Sequence, residues 1–207
     1  MSEIVFRELG LRPFRQVWSD MQRFTDGRTA DTGDEIWFVE HPSVFTLGLN
    51  SDPAHLLSPA DIEIVQTDRG GQVTYHGPGQ LVCYVLLDIK RRGLNVRTLV
   101  QALESAVIDT VAIYSIRACS RRTAPGVYVD NRKLAAIGLR VRRGCSYHGI
   151  AINVNMDLEP FLRIRPCGID DLEVTQLADL CAIDDMRRFR QDLEPHLLAR
   201  LRVEEGP

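Results

Sequence analysis

Residues 69 to 80 read Arg69-Gly70-Gly71-Gln72-Val73-Thr74-Tyr75-His76-Gly77-Pro78-Gly79-Gln80, and the next seven, Leu81-Val82-Cys83-Tyr84-Val85-Leu86-Leu87, are almost wholly apolar. A glycine-dense stretch running straight into a continuous apolar run permits few arrangements. The run predicts a buried strand, and the stretch predicts two turns around a short extended segment, Gln72 to Tyr75. Glycine lets backbone N–H groups approach a ligand closely, so such a stretch makes a pocket wall rich in donors. Phosphate binding fails as its explanation. No Gly-Lys-Ser/Thr follows, and the stretch leads into a strand where a phosphate loop leads into a helix N-terminus.

With 207 residues and 44% hydrophobic content the chain can bury one sizeable core, so a single domain over 1–207 is expected. No basic-plus-apolar leader and no apolar run approaching ~20 residues is present, which predicts a cytoplasmic protein without a membrane partner. Cysteines at 83, 119, 145, 167 and 181 form no CxxC pair and are odd in number, which argues against a zinc site and a disulfide framework. A net charge of -3 excludes nucleic acid as an obvious partner. The Arg pairs at 91–92, 121–122, 142–143 and 187–188 read as solvated surface.

Periodicity places the elements. Phe14, Val17, Trp18, Met21 and Phe24 recur at helical spacing after Pro13. Residues 36–39, 44–47 and 61–65 read as short strands, with His41 in a turn between the first two. Asn95 caps a helix whose apolar face is Leu99, Leu103, Val107 and Val111. Residues 126–129, a turn at Asp130-Asn131, and a hairpin of about 133–143 and 145–154 follow. A turn at Gly144-Cys145 would set Gly138 near Ala151, clustering small residues either for a chain-like ligand or for tight helix packing. A last helix has Asp184 as N-cap, an apolar face of Met186, Phe189, Leu193, Leu197 and Leu201, and Pro195 expected to kink it.

Two residues stand out chemically. Of 25 basic residues only Lys90 and Lys133 are Lys. Arg holds its proton at working pH while a desolvated Lys can release one, so a retained lysine suits proton transfer. Lys90, in the loop Lys90-Arg91-Arg92-Gly93, is better read as surface. Among the cysteines, Cys167 stands between Pro166 and Gly168, a setting that leaves a thiol open to attack; the other four read as packed or inert thiols.

Four blocks, Arg69 to Gln80, Lys133-Leu134-Ala135-Ala136-Ile137-Gly138, His148-Gly149-Ile150-Ala151-Ile152-Asn153 and Pro166-Cys167-Gly168-Ile169, together resemble the octanoyltransferases, also called lipoate-protein ligase B. Glu40 to Gly48 fits the same pattern, and the blocks occur in the same order over most of the chain. The resemblance implies an α/β fold of α+β type, a mixed sheet flanked by helices as in biotin and lipoate protein ligases, with its core over about 30–205. It implies transfer of octanoyl from octanoyl-acyl carrier protein to a lysine of lipoyl domains in 2-oxoacid dehydrogenase subunits or glycine cleavage H protein. Cys167 is then the nucleophile and Lys133 its activating partner. The acyl pocket is implied to comprise Arg69, Gly70, Gly71, Gln72, Val73, Thr74, Tyr75, His76, Ala136, Ile137, Gly138, Gly149, Ile150 and Ala151.

Thiolate attack on a thioester yields another thioester, so no nucleotide, metal or other cofactor is expected. Either neutral Lys133 or His76 could take the proton from the acceptor lysine, and backbone N–H groups near Gly77 or Gly168 could hold the oxyanion. His148 reads as a packed, hydrogen-bonded histidine. Three other classes remain open on the residues: an ATP-dependent lipoate or biotin ligase, a Cys–His hydrolase, in which water would have to enter a pocket meant to exclude it, and a non-catalytic binder of acyl proteins or lipoyl domains.

Overall fold

The computed structural model of the chain describes residues 3–165, 172–183 and 185–202. In chain order its elements are β1 (Ile4–Leu11), α1 (Phe14–Asp26), β2 (Asp34–Glu40), β3 (Val44–Leu47), β4 (Glu63–Gln66), β5 (Val73–His76), β6 (Gln80–Leu86), α2 (Val96–Ala112), β7 (Cys119–Ser120), β8 (Gly126–Val129), β9 (Arg132–Arg142), β10 (Cys145–Asn153) and α3 (Met186–Leu201). Seven strands form a mixed sheet in the order β1-β2-β6-β10-β9-β8-β7, and β4-β3-β5 form a second, smaller sheet. This is the α/β architecture of a mixed sheet flanked by helices. Among the described residues no helix is long and apolar enough to cross a membrane.

Alternation along the central strands gives the large sheet two unlike faces. Ile36, Phe38, Leu81, Cys83, Val85, Ile150 and Ile152 pack with Leu99, Leu103 and Val107 of α2 and Phe189, Leu193 and Leu197 of α3. Trp37, Val39, Val82, Tyr84, Leu86 and Ala151 turn the other way, toward Phe14, Val17 and Met21 of α1. The smaller sheet covers part of that second face, and Phe45, Val73 and Tyr75 make a core of their own with Phe161 and Ile164.

The helices begin where their capping chemistry allows. Asn95 accepts from the Thr98 N–H at 3.0 Å while the Thr98 hydroxyl accepts from the Asn95 N–H at 2.9 Å, a reciprocal capping box. Asp185 caps α3 through the N–H groups of Arg187 and Arg188; the expected cap, Asp184, lies outside the described residues. α3 runs from Met186 through Pro195 to Leu201 with Pro195 exposed, so the missing N–H faces solvent.

Several expectations are corrected here. β1 was not foreseen; it is an edge strand paired in parallel with β2, its partners some thirty residues further along the chain. The strand expected at 61–65 begins at Glu63. The hairpin turn is Arg143-Gly144, both at positive φ (52° and 81°), so Gly138 pairs with Gly149 and Ala136 with Ala151. That displacement is two residues, which moves the pairing without changing which side chains share a face. Arg92 is not solvated surface: it is buried and joins Arg28 and Arg91 on Asp34, with Arg92 Nε at 2.5 Å and Arg91 Nη2 at 2.8 Å. Burial of Asp34 opposes its ionisation, but the Asp88 N–H and the guanidinium groups outweigh it and hold the carboxyl below its usual range.

Candidate active site

A cavity of about 790 Å³, counting its open mouth, lies between the second face of the large sheet and the glycine-rich stretch. Its floor comes from Gln80, Val82 and Tyr84 of β6, Lys133 and Ala136 to Gly138 of β9, and His148 to Ala151 and Asn153 of β10; Phe14, Phe161 and Val174 close it from the sides. Of the residues implied for an acyl pocket, Arg69, Gly71, Gln72, Val73, Thr74, His76, Ala136, Ile137, Gly138, Gly149, Ile150 and Ala151 line it. Gly70 and Tyr75 do not. Gly70 donates its N–H to Leu139 O at 2.9 Å at the rim. Tyr75 turns to the far side of β5, its ring against Phe45 and Phe161 and its hydroxyl 2.9 Å from Ser43 Oγ.

The small residues have distinct reasons. A Cβ on Gly149 would stand 1.9 Å from Cys83 O, so no other residue lets β10 approach β6 this closely. Gly138 leaves room for Arg69, whose Cδ would lie 3.0 Å from an added Cβ. Arg69 lies across the floor with its guanidinium donating to Thr46 O at 2.6 Å and Thr46 Oγ1 at 2.9 Å. Ala136 and Ala151 face the cavity itself, and their size determines its depth there.

Lys133 is only 4% exposed. Its Nζ stands 5.4 Å from the Tyr128 ring centroid, beside Gly126, where an added Cβ would meet Lys133 Cε at 2.9 Å. Its backbone is held on both sides, N–H to Glu173 O at 2.8 Å and O from Thr175 N–H at 2.9 Å. Glu104 accepts the Gly126 N–H at 2.8 Å. Burial pushes its carboxyl up against the opposing pull of Gly126 and Lys133. Cys167 and Gly168 lie outside the described residues. The chain on either side is anchored, Arg165 N–H to His55 O at 2.8 Å and Glu173 O to Lys133. His55 in turn stands 3.1 Å from Gln72 of the cavity wall.

Of the other cysteines, Cys83 and Cys145 are buried and burial pushes both thiols up, Cys181 is half-buried, and Cys119 is exposed on the short strand β7. His41 is no turn residue in solvent: it is fully buried, Nδ1 2.8 Å from Arg12 O and Nε2 2.7 Å from the Tyr84 hydroxyl. A carbonyl can only accept, so Nδ1 carries the proton and Tyr84 donates to Nε2. Burial lowers its pKa to about 4. His148 is buried at positive φ (60°) with Nε2 3.0 Å from Asp68 Oδ1. Asp68 also accepts from Tyr147 and from Trp18 Nε1; burial opposes its ionisation, but these donors, His148 first, hold its carboxyl well below the usual range.

Sequence reasoning missed Tyr84, Val82, Phe14 and Phe161 as cavity residues, since each reads as plain core. Gln80 and Asn153 were quoted within their motifs without a role. A buried amide in an apolar strand is the signal that singles them out.

The mixed sheet, the small covering sheet and the cavity between them define a catalytic domain of the biotin and lipoate protein ligase type. The fold is similar to the bipartite lipoate protein ligase of Thermoplasma acidophilum, with a TM-score of 0.77 at 15% identity over 97% of this chain and 84% of that one. The chain belongs to the lipoyl protein ligase A/B catalytic domain family, whose model matches residues 14–198. It is 55% identical over 206 residues to the octanoyltransferase of Alkalilimnicola ehrlichii, covering 100% of this chain and 95% of that protein. It is 56% identical over 196 residues to the octanoyltransferase of Pseudomonas putida strain F1, covering 93% and 91%.

Proposed function

We propose that the protein is an acyltransferase that moves an octanoyl group from octanoyl-acyl carrier protein, through a thioester on Cys167, to a lysine of a lipoyl domain. The acceptors are the lipoyl domains of 2-oxoacid dehydrogenase subunits and glycine cleavage H protein. The observation that carries the reading is the buried lysine Lys133 in the wall of the cavity floored by Ala136 and Ala151. A lysine taken out of water beside an acyl site has a chemical use there that a charge for solubility does not.

The steps balance without a cofactor. The Cys167 sulfur attacks the donor's thioester carbonyl, and the oxyanion collapses to expel the carrier's thiolate, which takes the proton given up by Cys167. Lys133 favours the thiolate form of Cys167. In the second half the acceptor's lysine nitrogen attacks the acyl-Cys167 carbonyl, loses a proton to Lys133, and Cys167 leaves as thiolate. The anchoring of Arg165 beside the cavity wall and of Glu173 on Lys133 supports a nucleophile carried between them.

Intact-protein mass spectrometry after mixing with octanoyl-acyl carrier protein, without ATP, tests this. A single octanoyl adduct, discharged by a lipoyl domain, is expected. Cys167→Ala loses the adduct, while Cys83→Ala, Cys119→Ala, Cys145→Ala and Cys181→Ala keep it. An adduct that forms only with ATP, or persists in Cys167→Ala, overturns the reading.

A further inference from the structure

A file of hydrogen bonds runs along the cavity wall from Arg69 to the strand beside Lys133, and every link points the same way. Its direction follows from its fixed ends. Asn153 places a side-chain amide atom 3.0 Å from Thr175 O, and Gln80 places one 3.3 Å from Tyr75 O; carbonyls only accept, so both atoms are nitrogens. The Asn153 oxygen therefore faces Gln80 Nε2, at 2.9 Å, and the Gln80 oxygen faces His76 Nδ1, at 2.7 Å. An amide oxygen has no proton to give, so His76 Nδ1 carries one. At the other side of the ring, Nε2 stands 3.4 Å from the Thr46 hydroxyl, which itself accepts from Arg69. Thr46 donates onward to that nitrogen. The order is thus Arg69 to Thr46 to His76 to Gln80 to Asn153 to the Thr175 carbonyl, where the file ends; the N–H of the same residue, on the preceding peptide unit, separately donates to Lys133 O at 2.9 Å. His76, Gln80, Asn153 and Thr175 are all buried.

We infer that Gln80 and Asn153 are positioning residues: their amides, each held in one orientation, keep the His76 proton on Nδ1 and tie the glycine-rich wall to the segment that hydrogen-bonds Lys133. The inference rests on the proposed role of Lys133 in transfer. Two consequences follow. Links polarised in one direction strengthen one another in a low-dielectric interior, so a break at either amide is felt at both ends. His76 is also removed as a proton acceptor. Its Nε2 is turned to Thr46, and burial, with the neighbouring His41, lowers its pKa to about 3, so the acceptor lysine's proton goes to Lys133.

Nitrogen-15 NMR of the histidine rings in the whole protein reads the direction of the file without any turnover. Wild type is expected to hold His76 neutral with the proton on Nδ1 from pH 5 to 8. In Gln80→Glu a carboxylate faces the ring, and His76 is expected to become doubly protonated near pH 6. The introduced carboxylate has no N–H to donate to Asn153, so kcat is expected to fall about tenfold, the scale of one lost orienting hydrogen bond, with KM for the donor changed less than about twofold. Thr46→Val, nearly isosteric, breaks the file at its other end and guards against a Gln80→Glu that does not fold. A proton on Nε2 in wild type overturns the file. Unchanged kcat in both folded variants overturns its coupling to Lys133. Failure of the acyl-enzyme assay in wild type would remove the proposed function while leaving the NMR result standing.

Discussion

Both faces of the large sheet carry an apolar core, but the face toward α1 and the small sheet also carries a cavity lined by polar groups. Toward α2 and α3 the sheet presents Ile36, Phe38, Leu81, Cys83, Val85, Ile150 and Ile152, and the space is filled by apolar side chains. Toward α1 and the small sheet the same strands present Gln80, Tyr84, His148 and Asn153, beside Arg69 and His76, and Lys133 of β9 lines the same cavity. A filled apolar face is non-directional and tolerates exchange of equal volumes. A face of polar groups keeps its shape only while each donor meets its acceptor, and it can therefore hold a cavity open. Apolar packing lies on both sides of the strands, and the cavity's polar groups lie on one.

The sharpest break of that contrast is Leu103→Ala on the helix face. Truncating this fully buried side chain is expected to cost about 3 kcal/mol, seen as a lowered midpoint of denaturation, with kcat/KM of the folded protein unchanged. A catalytic defect at full folding would mean that the faces communicate.

Lys133→Arg should do the reverse. It preserves charge but not proton release, so turnover is expected to fall about a hundredfold while the melting temperature moves little. Near-normal turnover would reduce Lys133 to a fixed charge.

Ala151→Leu probes the cavity's depth. If it removes room for two methylenes, octanoyl is disfavoured against hexanoyl by about tenfold to twentyfold, from about 0.8 kcal/mol for each CH₂. Competition between the two acyl donors measures it. Gly138 and Gly149 are unsuitable for this purpose, because Arg69 and the Cys83 carbonyl occupy the space a side chain would need.

The smallest effect separates the faces by pH. His41 and His76 are neutral in the fold, with pKa values of about 4 and about 3 set chiefly by burial, against about 6.5 when unfolded. The unfolded chain binds the extra protons, so stability present above pH ~6.5 is lost as pH falls toward 4. His41→Gln should flatten the decline in melting temperature between pH 7 and 5. Leu103→Ala should shift both ends of the same curve equally.

Elements whose signals are local were legible in advance. The apolar run 81–87, the Asn95 capping box and the periodic faces of α1, α2 and α3 each depend on neighbours within a turn or two of chain. The hairpin was legible as an element but two residues out in register, because Arg143 takes up a positive φ that its residue type does not advertise. β1 escaped notice because an edge strand needs only one partner, and β2 supplies it from far along the chain.

Residue identity within 69–80, 133–138 and 148–153 was enough to mark stretches that line the cavity, since clustered glycines and a lone lysine are costly in a core without a use. Which of those residues meet was beyond any local signal. Phe14 and Phe161 reach the cavity from opposite ends of the chain, Tyr75 leaves it by the alternation of β5, and His41 is buried by a carbonyl at Arg12 and a hydroxyl at Tyr84. Hydrogen bonds between distant segments exist only in the folded chain, and the direction of the Arg69-to-Thr175 file follows from two carbonyls, one at Tyr75 across a local turn and one at Thr175 from far along the chain.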